Sequence, residues 1–447
     1  MAQRLPPASD VSPRARRVLG PIQTFMHTET SSGIVLGLAA VAALVWANAW
    51  PANYDGFWHT ELSISVGDWS ASTYLQKFVK DGLMTLFFLV VGLEIKREVT
   101  VGELADRRLA VVPACAALGG MLVPAGIYAA FNAGGAGSGG WGIPMATDIA
   151  FALGVLALLR RAVPGALPAF LLGVAVIDDI GAILVIAAFY SSGVSASWLA
   201  LAFAALVVVW LLFHWRVRLV VPYVVVGIAV WAAMANSGVS PTLAGVLLGL
   251  LAPSRAWAEP YDAAGDAARV TAEMAERNDH APDSLATWRR VDDLGRQAVP
   301  LAERIETVLH PWSAFVVLPL FAVAFAGVPI TGDSLRDAAG SPVAWGIVLG
   351  LVVGKLVGVF LGTLVPVKAG WGALPRGVGW VHVAGVSVLA GIGFTVSVFV
   401  ASLAFAGSAD LIDRARIAVI GASVLAGALG AGLLWLARDR RGAADGS

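Results

Sequence analysis

The feature that most constrains this chain is a succession of apolar stretches, most of them long enough to cross a lipid bilayer. A bilayer core of about 30 Å is spanned by a helix of about 20 apolar residues. Because hydrocarbon offers the backbone no hydrogen-bond partner, such stretches must fold as helices. Twelve approximate spans follow, at 31–50, 78–97, 109–131, 142–159, 166–190, 197–213, 219–236, 240–252, 311–328, 342–366, 378–402 and 414–437. We therefore predict an all-α integral membrane protein with about 12 transmembrane helices.

The composition of the 447 residues supports a membrane protein and excludes several other classes. Hydrophobic residues make up 58% and charged residues 13%, whereas a typical soluble domain has about 25% charged residues. This composition predicts membrane lipid as a partner, and the net charge of zero shows no nucleic-acid footprint. The single cysteine, Cys115, rules out an intrachain disulfide and a CxxC metal site.

The distribution of basic residues predicts how the chain is oriented in the membrane. Cytoplasmic loops are rich in lysine and arginine. With a cytoplasmic N-terminus, the inside loops carry Lys96, Arg97, Arg107, Arg108, Arg160, Arg161, Arg216, Arg218, Lys368 and Arg376. The outside loops at 132–141, 191–196 and 237–239 carry no charge, and the exceptions on that side are Arg336, Arg414 and Arg416. We therefore expect a multi-pass protein of the bacterial inner membrane with both termini in the cytoplasm.

Polar segments divide the chain into tails, loops and one transmembrane domain. We expect a cytoplasmic tail at 1–30, the transmembrane domain at 31–437 and a second cytoplasmic tail at 438–447. Within the domain, 253–305 is predicted to be a long, partly helical cytoplasmic loop. The external loop 51–77 contains the alternating sequence ELSISV followed by Gly-Asp, a pattern that predicts a β-hairpin.

Four ionisable residues stand near the middle of predicted spans, namely Asp148, Asp178, Asp179 and Lys355. A central Asp or Lys costs about 2.5–3.5 kcal/mol on insertion scales, so such residues are paired, solvated or neutralised, and they mark ion pathways. Three carboxylates accompany one lysine, and this negative excess favours a cation. The alternative is a buried salt bridge between Asp178 and Lys355 without any role in transport.

The adjacent Asp178 and Asp179 are expected to have two different roles. Consecutive residues of a helix with 3.6 residues per turn point about 100° apart, so the two carboxylates cannot face the same neighbour. Na⁺ is a hard cation, for which we expect oxygen ligands by extension from Ca²⁺ and Mg²⁺. Burial and nearby like charge disfavour an ionised carboxylate unless a cation neutralises it. A site that holds either Na⁺ or protons, but not both, is an exchanger.

Small residues interrupt two of the predicted spans. Asp148 follows a stretch rich in glycine and proline, and Gly391 and Gly393 interrupt the span 378–402. Paired interruptions of this kind point to discontinuous helices at a transporter site, although close helix packing explains glycines equally well. Because helix breaks place partial charges in mid-membrane, Asp148 could offset the positive ends and Lys355 the negative ends.

Several motifs make the chain resemble the NhaA family of Na⁺/H⁺ antiporters. They are FFLVVGLEIKRE at 87–98, ATDIAF at 146–151, VIDDIGA at 176–182, LHPW at 309–312, GK at 354–355 and GIGFTVS at 391–397. They follow in this order from about residue 28 to residue 405, so the resemblance covers most of the chain. The family has inverted-topology repeats, and the resemblance implies that architecture here, with two discontinuous helices that cross.

The resemblance also implies a mechanism and a role for each site residue. It implies electrogenic exchange of two external protons for one internal Na⁺ or Li⁺ by alternating access, controlling cytoplasmic pH and sodium without a cofactor. Asp179 would be the main cation ligand, and Asp178 would bind the cation or help to carry protons. Thr147 and Asp148 would lie at the helix crossing. Lys355 would either balance that crossing or pair with Asp178 and release its proton when Na⁺ binds.

By the same resemblance, four residues match positions tied to the cytoplasmic funnel and to pH control: Glu94, Glu98, Glu306 and His310. The external loop 51–77 would mediate a homodimer. From the residues alone, Glu94 and Glu98 equally fit an ordinary charged helix end, and the histidine fits a structural residue beside a proline. The chain departs from relatives at Lys80, Ser240, Thr307 and Phe325. These departures leave the aspartate pair untouched and concern the pH response.

Three other functions are weighed against this interpretation. The main alternative is an exchanger of K⁺ or another monovalent cation, because the sequence does not fix the size of the cavity. An intramembrane hydrolase is disfavoured, because the sequence has neither HExxH nor Gly-x-Ser-x-Gly and an aspartic dyad needs two facing carboxylates. A passive channel would tolerate the same buried charges but would not couple them to protons. We therefore expect a transporter and not an enzyme.

Overall fold

The structure is a computed structural model that describes residues 29–66, 69–160, 163–191, 193–215, 217, 220–256, 260–277 and 283–444. Four parts of the predictions above lie outside these residues: the tail at 1–28, the hairpin turn at 67–68, the loop arginines Arg161, Arg216 and Arg218, and the last three residues of the chain. Most of the described backbone is helical.

The first part of the fold consists of ten helices and one hairpin. They are α1 (Glu29–Ala49), α2 (Pro51–Trp58), β1 (Glu61–Val66), β2 (Trp69–Tyr74), α3 (Leu75–Phe78), α4 (Met84–Thr100), α5 (Arg107–Asn132), α6 (Ile149–Leu158), α7 (Leu167–Phe189), α8 (Ala196–His214), α9 (Val220–Asn236) and α10 (Thr242–Leu251). A π-helical turn, Val79–Leu83, joins α3 to α4, and short 3₁₀ segments cover Glu103–Ala105 and Ser138–Met145.

The second part contains ten further helices. They are α11 (Pro260–Arg277), α12 (Asp283–Ala298), α13 (Leu301–Trp312), α14 (Leu318–Phe325), α15 (Gly332–Ala339), α16 (Pro342–Leu349), α17 (Lys355–Lys368), α18 (Trp380–Leu389), α19 (Phe394–Ala404) and α20 (Ala409–Ala444). π-helical turns at Ser313–Val317 and Gly350–Gly354 join α13 to α14 and α16 to α17, so each pair forms one continuous span.

Every predicted span corresponds to a helix or a helix pair. Within the described part of the chain, eight helices are long and apolar enough to cross a bilayer, and α18 and α19 form a ninth candidate bent by 45°. The other three predicted spans correspond to the charged helix α3–α4 and to the shorter apolar helices α9 and α10. The all-α membrane fold is confirmed, whereas the number of spans stays a prediction.

The predicted start of one span is wrong by about ten residues. The predicted loop 253–305 ends at Pro300, because α13 already begins at Leu301 and extends the span 311–328 by about three turns at its N-terminal end. Hydropathy misses this part of the helix because Glu303 and Glu306 place charges on one of its faces. The loop itself contains the two amphipathic helices α11 and α12, in agreement with its predicted partial helicity.

Two further predictions concern the ends of the domain. The last helix begins at Ala409 and runs to Ala444, so most of the predicted tail 438–447 continues the transmembrane helix. The predicted hairpin is present, with β1 and β2 antiparallel and in register from the pair Glu61–Tyr74 to the pair Val66–Trp69.

Close contact between α5 and α17 fixes the position of Lys355. A Cβ atom added to Gly358 would overlap the backbone carbonyl of Gly119, and one added to Gly362 would overlap that of Cys115. Small residues allow membrane helices to approach until their backbones touch. Lys355, one turn before Gly358, is therefore held in the interior of the bundle and is fully buried.

Candidate functional site

Two interrupted helices meet at the centre of the molecule. Residues 146–148 separate the 3₁₀ segment from α6, and residues 390–393 separate α18 from α19. The Asp148 backbone N–H donates to Ile392 O at 2.6 Å, and Ser397 Oγ donates to Ile143 O at 2.8 Å. These reciprocal hydrogen bonds hold the two interruptions against each other. The inverted repeat and the crossing that the family resemblance implies stay predictions.

The Asp148 carboxylate caps the N-termini of both continuing helices. Its Oδ1 accepts from the Phe151 N–H at 3.0 Å in the first turn of α6. Its Oδ2 accepts from the Thr395 N–H at 3.0 Å and from the Thr395 hydroxyl at 2.6 Å, at the start of α19. Helix N-termini carry partial positive charge, so one carboxylate neutralises two of them, as the sequence suggests.

Gly391 and Gly393 leave no room for a side chain at the second interruption. A Cβ atom on Gly391 would overlap the Leu351 carbonyl, and one on Gly393 would overlap Ser397 Oγ. The glycines therefore allow a neighbouring backbone and a hydrogen-bonding hydroxyl to approach the break. Close packing against neighbouring groups, one of the two explanations that the sequence left open, therefore accounts for these two glycines.

Replacing Gly391 by alanine is expected to destabilise the protein by about 1–3 kcal/mol, the usual effect of overpacking a closely packed interior. The matched control is Gly421→Ala in α20, where an added Cβ meets nothing within 4 Å. Thermal unfolding of the two variants in detergent tests the prediction. Equal melting temperatures of the two variants would show that the interruption at 390–393 accommodates a methyl group without loss of stability.

Lys355 pairs with Asp178 inside the bundle. Lys355 Nζ lies 2.5 Å from Asp178 Oδ2 and 3.0 Å from Thr147 Oγ1, and the three side chains are fully buried. The Thr147 hydroxyl has two acceptors at 2.8 Å, Asp178 Oδ2 and Ala390 O, and its single proton serves one of them at a time. Asp178 Oδ1 has no hydrogen-bond partner among the described residues. Of the two places that the sequence left open for Lys355, the structure shows the pair with Asp178.

Asp179 faces a different environment from that of its neighbour. It lines a cavity of about 460 Å³, together with Thr147 and Asp148, whereas Asp178 and Lys355 lie outside the cavity lining. Only 6% of Asp179 is exposed, and its carboxylate forms no hydrogen bond within the described part of the chain. The two aspartates thus differ as their spacing on the helix predicts: Asp178 is paired with a lysine, and Asp179 faces the cavity.

Charged residues of α4 and α13 lie at one end of the same cavity. Arg97 Nη1 lies 2.6 Å from Glu306 Oε1 and Arg97 Nη2 lies 3.9 Å from Glu98 Oε1. Glu306 is buried, and its other oxygen has no hydrogen-bond partner in the described residues. Glu94 and His310 line the cavity, as does Thr307. The structure therefore gathers three of the four pH-control candidates in the cavity lining and places Glu98 beside Arg97.

Sequence reasoning missed several residues that complete this site. Thr395 binds Asp148 through two atoms, and its position directly after the interruption at 390–393 was a usable signal. Ser397 was missed as the residue that bridges the interruptions. Arg97 was assigned to a loop by its charge, but it pairs across the cavity with Glu306. Glu303 also lines the cavity, but the predicted span 311–328 began too late to include it.

Metal-binding side chains do not cluster elsewhere in the described ranges. No group of three or more His, Cys, Asp or Glu residues in them has an arrangement that could hold a metal ion. A lone alkali cation differs from such metals because carbonyl, hydroxyl and carboxylate oxygens suffice to bind it. The oxygens of Asp179, Asp148 and Thr147 in the cavity are therefore the most suitable candidate ligands.

Comparisons with known proteins agree across almost the whole chain. Residues 23–434 match the family model described as Na⁺/H⁺ antiporter 1. The chain is 44% identical to Na⁺/H⁺ antiporter NhaA 2 of Sorangium cellulosum over 416 residues, which cover 92% of this chain and 88% of that protein. It is 45% identical to the NhaA antiporter of Oleidesulfovibrio alaskensis over 418 residues, 92% of each chain. It is 43% identical to the NhaA antiporter of Janthinobacterium sp. over 429 residues, 94% of this chain and 93% of that one.

Proposed function

Because this chain belongs to the NhaA family of Na⁺/H⁺ antiporters, we propose that Asp179 is the residue at which Na⁺ (or Li⁺) and H⁺ compete. The supporting observation is its unpaired, nearly buried carboxylate in a cavity of about 460 Å³. An ionised carboxylate is unfavourable in such a place unless a cation neutralises it. Asp179 therefore holds either a proton or a cation, and an exchange of one for the other follows from a site that cannot hold both.

Asp178 and Lys355 supply a second group that responds to the cation. The fully buried pair is neutral as a whole, and Asp178 Oδ1 is unpartnered. A cation bound at Asp179, beside the Asp178–Lys355 pair, would repel the lysine ammonium and favour loss of the lysine proton. The proton from Asp179 and the proton from Lys355 together give an electrogenic exchange of two protons for one Na⁺. If Lys355 keeps its proton, the lysine is a structural counter-charge and the exchange is electroneutral.

The outer charged residues give the cavity a means of sensing pH. Glu306 and Arg97 form the shortest ion pair there, and His310, whose unperturbed pKa is about 6.5, lines the same cavity. Protonation of the histidine would add positive charge to the cavity lining and disfavour entry of a cation. We assign pH control to Glu94, Glu98, Glu306 and His310, with activity expected to rise as the histidine loses its proton.

We propose the orientation of the protein in the membrane from the distribution of its basic residues. The basic loops place both termini and the charged part of the cavity in the cytoplasm of a bacterial inner membrane. Internal Na⁺ then reaches Asp179 directly, and external protons enter when the site faces the other side. The antiporter thereby controls cytoplasmic pH and sodium. We propose no catalytic activity and no cofactor for it.

The choice between Na⁺ and K⁺ is tested by ion-dependent proton flux in proteoliposomes containing a pH-sensitive dye. Na⁺ and Li⁺ are expected to dissipate an imposed pH gradient at millimolar or lower concentrations, and K⁺ is expected to have no effect. A passive channel would let Na⁺ cross without moving protons, so Na⁺ uptake accompanied by proton release separates an exchanger from a passive channel. Dissipation by K⁺ but not by Na⁺ or Li⁺ would contradict the proposal and favour a K⁺/H⁺ exchanger.

A homodimer is proposed through the hairpin in the external loop 51–77. A two-stranded sheet is marginally stable alone, and no further strand among the described residues pairs with the outer edge of β1 or β2. Adding strands across such an edge is a common mode of association, and a second copy of the hairpin supplies them symmetrically.

Removal of the hairpin is expected to convert the dimer to a monomer without abolishing exchange. The ends of the hairpin are adjacent, since the Leu75 N–H donates to Thr60 O at 3.0 Å, so a short Gly-Ser linker can replace residues 61–74. Light scattering in detergent gives the mass of each form. A dimer that persists after the replacement would place the interface elsewhere.

A further inference from the structure

Four buried phenylalanines form a layer beyond the cavity, at the end away from its charged residues. The cavity lining on helix α13–α14 extends from Glu303 to Leu318 and includes Phe87 of α4. Directly beyond these positions lie four side chains that are each at most 4% exposed, which we call the aromatic barrier: Phe88, Phe321, Phe325 and Phe399. The barrier therefore separates Asp179 from the opposite side of the molecule.

The rings of the barrier contact one another across three elements. Phe325 stacks on Phe321 within α14, with ring centroids 4.6 Å apart and planes at 18°. Phe321 meets Phe399 of α19 at 6.3 Å, and Phe399 meets Phe88 of α4 at 5.3 Å. Aromatic pairs at such distances attract each other beyond the burial of their area. The second half of an interrupted helix is thus linked to the helix that carries Glu94.

Arg416 of α20 lies over the ring of Phe325, at one end of the aromatic barrier. Its guanidinium carbon is 5.2 Å from the centroid of the Phe325 ring, and its side chain is 12% exposed. Its ion pair with Asp413 is long, at 3.4 Å, and its Nε has no hydrogen-bond partner within the described residues. A cation over an aromatic face is held more strongly when it is desolvated. The ring of Phe325 is therefore a principal partner of this buried charge.

We propose that Arg416 is a positioning residue whose contact with Phe325 holds the aromatic barrier closed, so that Asp179 is accessible from the charged end of the cavity alone. The inference rests on the proposed function in one respect: alternating access requires the barrier to open once in each cycle. Opening separates the rings from one another and breaks the contact with the guanidinium. The contact exists in one of the two states, so it biases the equilibrium between them.

The size of the bias follows from the strength of a cation–π contact. Contacts of this kind shift an equilibrium by a factor of about two at exposed sites and about thirty at desolvated ones. Removing the guanidinium should therefore raise the population of the open barrier by two- to thirty-fold.

The test is the rate at which a small membrane-impermeant thiol reagent modifies a cysteine on the cavity side of the barrier, when the reagent is added to sealed vesicles on the side opposite the charged end of the cavity. Val396→Cys in a Cys115→Ala background provides that cysteine, because Val396 lines the cavity, is buried and lies one turn before Phe399 on α19. Arg416→Met is expected to raise the modification rate two- to thirty-fold, and Arg416→Lys, which keeps a charge, to raise it less. The matched control is Arg414→Met, whose arginine pairs with Asp410 at 2.9 Å and should leave the rate unchanged.

A double variant separates the contact from a general loosening of the structure. Phe325→Leu alone should raise the rate to a similar extent, and Phe325→Leu with Arg416→Met should react no faster than the faster single variant. Unchanged rates in Arg416→Met, or rates that multiply in the double variant, would overturn the proposal. If Arg416→Met fails to fold, the modification rates of Phe325→Leu and Phe325→Tyr are compared instead. Tyrosine keeps the aromatic face, so Phe325→Tyr should react more slowly than Phe325→Leu. The reaction needs no Na⁺, so failure of Na⁺-driven flux would overturn the proposed function and leave this result standing.

Discussion

Replacing Asp179 by asparagine is expected to reduce Na⁺-driven proton release to the level of empty vesicles. The amide is nearly isosteric with the carboxylate, so the fold should persist, but it carries no charge to attract Na⁺ and accepts no proton near neutral pH. Both ions lose their shared site at once. The measurement is dye-reported proton flux after addition of Na⁺ to proteoliposomes, with Li⁺ as a second substrate.

Two variants make the Asp179 result specific. Asp333→Asn removes a carboxylate that is 91% exposed at the start of α15, and it should transport normally. Asp179→Glu keeps the charge but moves it by one methylene, and it should retain part of the activity with weaker Na⁺ affinity. Full activity in Asp179→Asn would refute the assignment of the ion site, because no other residue of the cavity lining has the same combination of burial and a free carboxylate.

Replacing Lys355 by alanine is expected to have the second-largest effect, on both stability and coupling. Removing one partner of a buried ion pair typically costs about 3–5 kcal/mol, because the other charge is left uncompensated. If Lys355 carries a proton, the variant should still exchange Na⁺ for H⁺ but should no longer move net charge across the membrane. Flux measured with and without a valinomycin-clamped potential reports this loss.

Stability and proton transfer are separated by a double variant and a surface control. Asp178→Asn with Lys355→Met leaves no buried charge at the pair, so most of the lost stability should return while electrogenic exchange does not. Lys368→Ala, at the exposed end of the same helix α17, should change neither property. Normal stoichiometry in Lys355→Ala would show that the lysine is a structural counter-charge.

Much of the site could be predicted because its charged residues stand in stretches that are otherwise apolar. Asp178, Asp179, Asp148 and Lys355 are conspicuous as charges in apolar spans, and burial of a charge is costly wherever the chain goes. Gly391 and Gly393 could be recognised as an interruption without knowing what lies beside them. The start of α13 could not be predicted from hydropathy, because the charged residues on one face of the helix lower the local hydropathy although the helix continues.

The sequence by itself determined the membrane fold, the approximate spans, the hairpin and the identity of the charged residues, because hydropathy and helical spacing are properties of neighbouring residues. The tertiary structure decided which of those charges meet. Asp178 and Lys355 are 177 residues apart, and Asp148 and Thr395 are 247 apart, so no local pattern predicts their contacts. Packing of α5 against α17 brings the lysine to Asp178 and leaves Asp179 alone in the cavity. That difference between two adjacent aspartates is the physical basis of the proposed exchange.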